Sequence, residues 1–408
     1  MIAINIISKI LGFSFSDSVT NIQIDSRLCD SNSIFFAIKG ERTDGRLYAR
    51  DVLNMGGYVV CENPGFDHER LILVADIKQS IIEIAMNIRS ELQRKGVVIY
   101  GITGSVGKTF TKRALAACLD DVLVSEGNLN TEYGLFLTLC KAKTQHKYVV
   151  LELGIGKPGD MDILGHIAMP DRAIVTNVTM AHLQFFENRQ HLIAEKLRLL
   201  DYTRDFAVVN VDTDHPKARP LIADIVPHEY PNTSGTITID GITHEIMCPN
   251  LYGKHLLWNM ACVIQLLGRY VPAMCDLTQT PGRGVMHRNL MHNGIKFDLY
   301  DSSYNANPSS MEAEFNVVRA CGKHTIGILG QMGELGPDSA YHHNDVYGKA
   351  KACMNEIILV GPAWGKDTCD LPLAKDKLYN SLEEGCLVFV KGSNSNGLQA
   401  FVREIMNA

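Results

Sequence analysis

The chain has 408 residues, 46% of them apolar and 21% charged, with a formal net charge of −6. At about 100–200 residues per domain, this length predicts two to four domains, and three is the working expectation. The acidic balance offers no basic face for nucleic acid, and eleven scattered cysteines without a C-x-x-C pair suggest neither a zinc site nor a disulfide framework, which fits a reducing cytoplasm.

The start, Met1-Ile-Ala-Ile-Asn-Ile-Ile-Ser-Lys9, lacks the basic opening and long apolar core of a signal peptide, and no uncharged run of about 18 apolar residues follows. The expectation is a cytoplasmic monomer without membrane insertion. Short β-type runs, Ile34-Phe-Phe-Ala-Ile38 and Gly57-Tyr-Val-Val-Cys61, then alternate with turn-rich pieces, and a helical pattern covers Ser80–Leu92. Residues 1–92 therefore read as a small α/β domain. From 93 to 290 near-continuous apolar strands (Tyr148–Leu153, Ala173–Asn177, Phe206–Asn210) alternate with helical patterns, which predicts a parallel sheet covered on both faces. Pro281-Gly-Arg-Gly284 reads as a hinge. A second series at Lys296–Tyr300, Thr325–Leu329, Glu356–Val360 and Cys386–Val390 predicts a C-terminal Rossmann-like domain over 291–408.

The most telling stretch is Val97-Val-Ile-Tyr-Gly-Ile-Thr-Gly-Ser-Val-Gly-Lys-Thr109. A buried strand, a Gly-rich turn and a helix N-terminus aim backbone N–H groups and a positive dipole end at an anion. Gly104, Ser105 and Gly107 would cradle phosphates, Lys108 would reach the β/γ-phosphates and Thr109 would hold Mg²⁺. The predicted ligand is a nucleoside triphosphate. The strict G-x-x-x-x-G-K-[ST] pattern fails by one position, since Ile102 stands where its first Gly belongs.

Ligands of open α/β sheets gather at the carboxyl ends of strands, which draws attention to Glu152, Asn177 and His182. A carboxylate and an imidazole there could complete a magnesium shell, although magnesium prefers oxygen ligands and a lone His more often sits in a polar surface network. Lys196 reads from pattern alone as a solvated helix lysine. Two polar loops, Gly127-Asn-Leu-Asn-Thr-Glu-Tyr-Gly134 and Asp301-Ser-Ser-Tyr-Asn-Ala-Asn-Pro-Ser-Ser-Met311, suit polar substrates, with Asx-turns as the plainer alternative for the first. In the second, Ser309 or Ser310 could cap a following helix.

Together these motifs resemble the Mur ligases, ATP-dependent amide-forming enzymes of peptidoglycan precursor synthesis, from about residue 20 to the C-terminus. Gly101–Thr109 is similar to the family's T-G-[ST]-x-G-K-T loop, which accounts for the irregular glycine spacing. Glu152, Asn177, Ala181-His-Leu183, Lys196, Asn259, Arg283 and Asp301 follow in the family's order. Tyr304-Asn-Ala-Asn-Pro308, Gly127-Asn-Leu-Asn130, Leu329–Gly336 and Lys391-Gly-Ser393 resemble the dipeptide-adding member, and Asp25-Ser-Arg27 and Gly40–Gly45 resemble the UDP-sugar-holding elements of that member and the tripeptide-forming one.

The resemblance implies an ADP-forming acid–amino-acid ligase that adds D-Ala-D-Ala to UDP-N-acetylmuramoyl tripeptide through an acyl phosphate. It implies Lys108, Glu152, His182 and Lys196 as catalytic residues, and ATP contacts from the loop, Asn259, Arg283 and Asp301. Substrate contacts would come from Ser26, Arg27, Asn128, Asn130, Thr131, Tyr304, Asn305 and Asn307. Two Mg²⁺ ions would be held, one by Thr109 and Glu152 and the other by His182 and a carbamylated Lys196. The partners are then small molecules, a UDP-sugar peptide and a dipeptide or other amine. Departures from the family pattern at Arg46, Val106, Phe136, Leu256, Gln331 and Asn394 keep open an amide ligase of another pathway, for a natural product or cofactor. A non-catalytic nucleotide-binding module and a small-molecule kinase are the remaining alternatives.

Overall fold

Four short strands, β1 (Asn21–Gln23), β2 (Ser33–Phe36), β3 (Tyr58–Cys61) and β4 (Leu71–Leu73), open the fold as a parallel sheet in sequential order. The computed structural model describes residues 2–16, 18–40, 43–179, 185–229, 231–365 and 367–407. The helix expected over Ser80–Leu92 runs from Ile77 to Arg94, because Asp76 caps it by accepting the Gln79 N–H at 2.8 Å. Its apolar stripe (Ile77, Ile81, Ile84, Ile88, Leu92) is buried, and one hydrophobic cluster joins it to Ile34, Phe36 and Val60 of the first sheet and to Leu135, Phe136 and Leu139 of the next unit. Phe136 and Phe36 meet edge to face, ring centres 4.9 Å apart, so the family departure at Phe136 welds the first sheet to the second unit.

The second sheet contains β5 (Val98–Thr103), β6 (Val122–Val124), β7 (Tyr148–Glu152), β8 (Arg172–Val175), β9 (Phe206–Val209) and β10 (Ala218–Pro220), all parallel in the order β10-β9-β8-β5-β7-β6. Every residue of β9 is buried, as are the last three of β8, which is why these strands read as continuous apolar runs. The strand order reverses around β5, so its carboxyl end opens at the switch point where a ligand is expected. A three-stranded antiparallel sheet of β11 (Asp224–Pro227), β12 (Asn232–Ile239) and β13 (Ile242–Tyr252) follows. It shares a buried cluster with the helices Lys108–Ala117 and His255–Leu267.

The third sheet is built from β14 (Val285–His292), β15 (Ile295–Ser302), β16 (Thr325–Gly330), β17 (Glu356–Val360), β18 (Thr368–Cys369) and β19 (Leu387–Lys391), in the order β14-β15-β19-β16-β17-β18. β14 runs antiparallel to β15 and the others are parallel. The chain thus enters this sheet at Val285, directly after Gly284. Buried clusters lie on both of its faces. No helix among the described residues is long and apolar enough to cross a membrane.

Candidate active site

The loop between β5 and the helix Lys108–Ala117 is held from two sides. Gly104 and Gly107 take φ values of +147° and +86°, and a Cβ would lie 1.7 Å from Thr176 Oγ1 on the first and 2.5 Å from Asn259 Nδ2 on the second. Only glycine permits both the conformation and the approach. Thr176 Oγ1 donates to the Val106 carbonyl at 2.8 Å, the Ser105 N–H to the Asn177 carbonyl at 3.0 Å, and Ser105 Oγ to the Thr179 carbonyl at 3.0 Å. The bracing uses only the backbone of Val106, which any residue supplies. Lys108 folds back, its Nζ donating to the Gly104 carbonyl at 2.8 Å and the Ser105 carbonyl at 3.4 Å. Burial pushes its pKa below the ordinary lysine value, with the Glu152 charge opposing and Arg283 adding.

Glu152 ends β7 with 3% exposure and a full set of partners. Thr109 Oγ1 lies 3.1 Å from its Oε2, Asn130 Nδ2 donates to Oε1 at 3.2 Å, and Lys112 Nζ forms an ion pair with Oε2 at 2.9 Å. Burial alone would raise its pKa, but Lys112 and Lys108 outweigh that and hold the carboxyl below its usual range. Lys112 Nζ also donates to the Gly127 carbonyl at 3.0 Å, which ties the phosphate loop's helix to the polar loop at 127–131. Sequence reasoning missed Lys112. Its signal was the spacing of four from Lys108, one helical turn along the same face.

The loop faces a cavity of about 830 Å³ whose walls come from both the second and third units. Of the predicted residues, Ser105, Gly107, Lys108, Thr109, Asn128, Asn130, Thr131, Glu152, Arg283, Tyr304, Asn305 and Asn307 line it. Arg113, which was not predicted, lines it too and donates to Thr280 Oγ1 at 3.1 Å, connecting the phosphate loop's helix to the segment that leads into Pro281–Gly284. The Arg283 guanidinium stacks 3.9 Å above the Tyr304 ring.

Several predicted residues stand elsewhere. Asp301 is 5% exposed and does not line the cavity: its Oδ2 accepts the Gly282 N–H and its Oδ1 the Ser303 N–H, both at 3.0 Å. Its carboxylate braces the backbone of the Gly282 and Ser303 turns. Asn259 packs behind Gly107 and is likewise off the wall. Asn307, not Ser309 or Ser310, caps the helix Pro308–Cys321, accepting the Ser310 N–H at 2.8 Å while Ser310 Oγ accepts the Asn307 N–H in a reciprocal box. Ser26 and Arg27 lie in the first unit, outside this cavity, where Arg27 folds back onto Asp25 with 2.6 Å between Nη2 and Oδ2.

Lys196 contradicts its reading as a solvated residue, being 1% exposed on the helix Arg189–Leu197. Burial, helped by Lys108 and opposed by Glu195, pushes its amine well below the ordinary lysine value. His182, with the neighbouring residues 180–184, and Glu41 and Arg42 of the predicted UDP-sugar element lie outside the described residues.

A phosphate loop at a sheet switch point, a carboxylate beside its threonine and a cavity shared with a Rossmann-like domain define a three-unit nucleotide-dependent α/β enzyme. Residues 102–267 match the Mur ligase middle domain and residues 287–394 the Mur ligase glutamate ligase domain. The chain belongs to the Mur ligase family. It is 26% identical to the UDP-N-acetylmuramoyl-tripeptide–D-alanyl-D-alanine ligase of Bacillus subtilis (strain 168), over 96% of this chain and 94% of that one. Two crystal structures share the fold. MurF ligase from Thermotoga maritima in complex with ADP has a TM-score of 0.81 at 23% identity, covering 96% of this chain and 98% of that one. MurF from Acinetobacter baumannii has a TM-score of 0.84 at 22% identity, covering 99% and 98%.

Proposed function

We propose that this protein is an ATP-dependent ligase that joins D-Ala-D-Ala to UDP-N-acetylmuramoyl tripeptide in peptidoglycan precursor synthesis, acting as a cytoplasmic monomer. The observation that carries the reading is the shared cavity, which sets the phosphate loop and Glu152 opposite the Tyr304–Asn307 loop of the third unit. In this division residues 1–92 take the UDP-sugar, 93–290 bind ATP and 291–408 receive the amine.

A carboxylate does not condense with an amine in water, so it must first be activated. The γ-phosphoryl group of ATP passes to the carboxylate oxygen, giving ADP and an acyl phosphate; the amine nitrogen then attacks the carbonyl carbon and phosphate leaves. Lys108 and the loop amides stabilise the charge on the transferring group, and Arg283 guards the hinge side of the cavity. Closure of the third unit over the cavity excludes water that would hydrolyse the acyl phosphate.

The donor set fits Mg²⁺, since the Thr109 hydroxyl and the ionised Glu152 are hard oxygen ligands already next to each other and to the loop. Thr109 and Glu152 would hold one ion; His182 and a carbamylated Lys196 would hold a second. When bound, the ions screen the negative charge of the phosphoryl group. Support for the carbamate is the burial of Lys196, because a neutral amine is the form that reacts with carbon dioxide.

The deciding experiment supplies ATP, Mg²⁺, the UDP-muramoyl tripeptide and D-Ala-D-Ala. ADP, phosphate and a pentapeptide product are expected, and no phosphate release or ligated product would overturn the peptidoglycan assignment. One observation favours a second reading with another amine: Asn394, where the family pattern has Arg, lines the cavity. A panel of amines and acyl donors offered to the same enzyme separates the two.

A further inference from the structure

Resting on the ligase reading is a question about protons. An α-amino group has a pKa of about 7.7–8 in water, so most of the incoming amine arrives as ammonium, which has no lone pair for attack. Cations on the cavity wall, Lys108, Arg113 and Arg283, suit the phosphates. Where the third unit closes it, a different cluster stands that the phosphate chemistry leaves unused. Lys391, 3% exposed at the end of β19, lines the cavity, and its Nζ lies 3.2 Å from Ser302 Oγ and 3.0 Å from the carbonyl of Asn305 in the substrate loop. Ser302 Oγ donates to Glu314 Oε1 at 3.2 Å, and Tyr300 OH donates to Glu314 Oε2.

We propose that Lys391 is the base that takes the proton from the incoming ammonium group, with Glu314 behind it stabilising the charged product. The proton leaves the substrate nitrogen for Lys391 Nζ, which becomes an ammonium. The freed nitrogen lone pair forms the C–N bond to the acyl carbon, the C–O bond to phosphate breaks, and the second amine proton leaves with the phosphate.

The surroundings suit this role. Burial lowers the Lys391 pKa, which favours the neutral, proton-accepting amine. The charged and titratable groups facing it are Glu314 from the helix Pro308–Cys321, Asp301 from β15, Arg283 from the hinge and His255 from the helix His255–Leu267. The two carboxylates favour the protonated lysine, Arg283 disfavours it, and burial holds His255 toward its neutral form. A lysine whose pKa is moved down by burial, with its Nζ at the cavity wall, is the kind of group that serves as a general base, and such groups contribute about 10²–10⁴ in rate.

The test uses the whole enzyme with ATP, Mg²⁺ and the UDP-muramoyl tripeptide, and two amines: D-Ala-D-Ala, which needs deprotonation, and hydroxylamine, a weak base already neutral at pH 7. Lys391→Met should lose about 100-fold in kcat with the dipeptide at pH 7, recover as pH rises past about 8, and keep hydroxamate formation within about threefold. Glu314→Gln should shift the acid limb of the dipeptide pH–rate profile to lower pH, because the protonated lysine loses its counter-charge. Equal loss with both amines, or a loss that pH does not relieve, would overturn the proposal and leave Lys391 a structural or ATP-site residue. A wild-type enzyme that makes neither hydroxamate nor pentapeptide would instead sink the ligase reading itself.

Discussion

Lys112 and Glu152 form an ion pair in which both side chains are almost wholly buried, 3% and 4% exposed. Such a pair is costly to desolvate, and removing one partner strands the other charge, typically at about 3–5 kcal/mol. Lys112→Met is therefore expected to destabilise the protein by about 3 kcal/mol, and adding Glu152→Met should recover much of that loss. Urea unfolding of the single and double variants checks it; equal stability of the single variant and the parent would show the pair to be idle. Asp298 gives a pH-dependent counterpart. Although its burial alone would raise the pKa, Lys323 at 2.8 Å, the Asn289 N–H and Arg288 at 2.6 Å hold the carboxyl below the ordinary aspartate value. A depressed folded-state pKa contributes stability above the unfolded value that is lost as pH falls through the folded one. Thermal melts stepped downward from pH 5 should fall less steeply for Asp298→Asn than for the parent, and the variant should be less stable at pH 7.

The helix Pro308–Cys321 depends on a cap that composition disguised. Asp301–Met311 is so dense in Ser and Asn that every one of them could cap, and only the three-dimensional path shows that Asn307 does. Asn307→Ala should cost about 1 kcal/mol, read by denaturant unfolding, and should loosen the substrate loop that ends there. The same distinction explains what was readable beforehand. The phosphate loop and the strands β5, β7, β8, β9 and β15 to β17 were legible because continuous apolar runs ending in polar residues leave few alternatives. Sequence reading placed nothing at β11 to β13, where Ile237, Ile239 and Ile246 are buried while Glu245 and Met247 are exposed; a half-buried antiparallel sheet carries a weaker pattern than a fully buried parallel one. Of the site, the residues touching the cavity were largely legible. Lys391 was marked only as part of the Lys391-Gly-Ser393 motif, and Lys112 and Glu314 were not marked at all, since a buried charge is marked by its partners, which lie 89, 40 and 14 residues away at Ser302, Glu152 and Tyr300.

The three units are joined in unequal ways, and that asymmetry makes the last prediction. The first and second share a hydrophobic cluster through the helix Ile77–Arg94 and the Phe36–Phe136 contact, whereas the second and third meet around a polar cavity and the segment 281–284, with Tyr252 against Tyr300 as an aromatic contact beside it. Hydrophobic fusion couples unfolding strongly, while a polar, ligand-sized gap couples it only when filled. Phe136 is fully buried, so Phe136→Ala should cost about 3–5 kcal/mol and should split the melt of the first two units. Mg²⁺-ATP at about 100 times its dissociation constant should add about 2.7 kcal/mol to the second unit. Because the third unit supplies Arg283 and the Tyr304–Asn307 wall, its transition should rise with the second's, and Lys108→Ala should abolish the shift in both. Differential scanning calorimetry with and without nucleotide reads all three units at once. A nucleotide shift confined to the second unit would show that ATP binds without drawing the two walls of the cavity together.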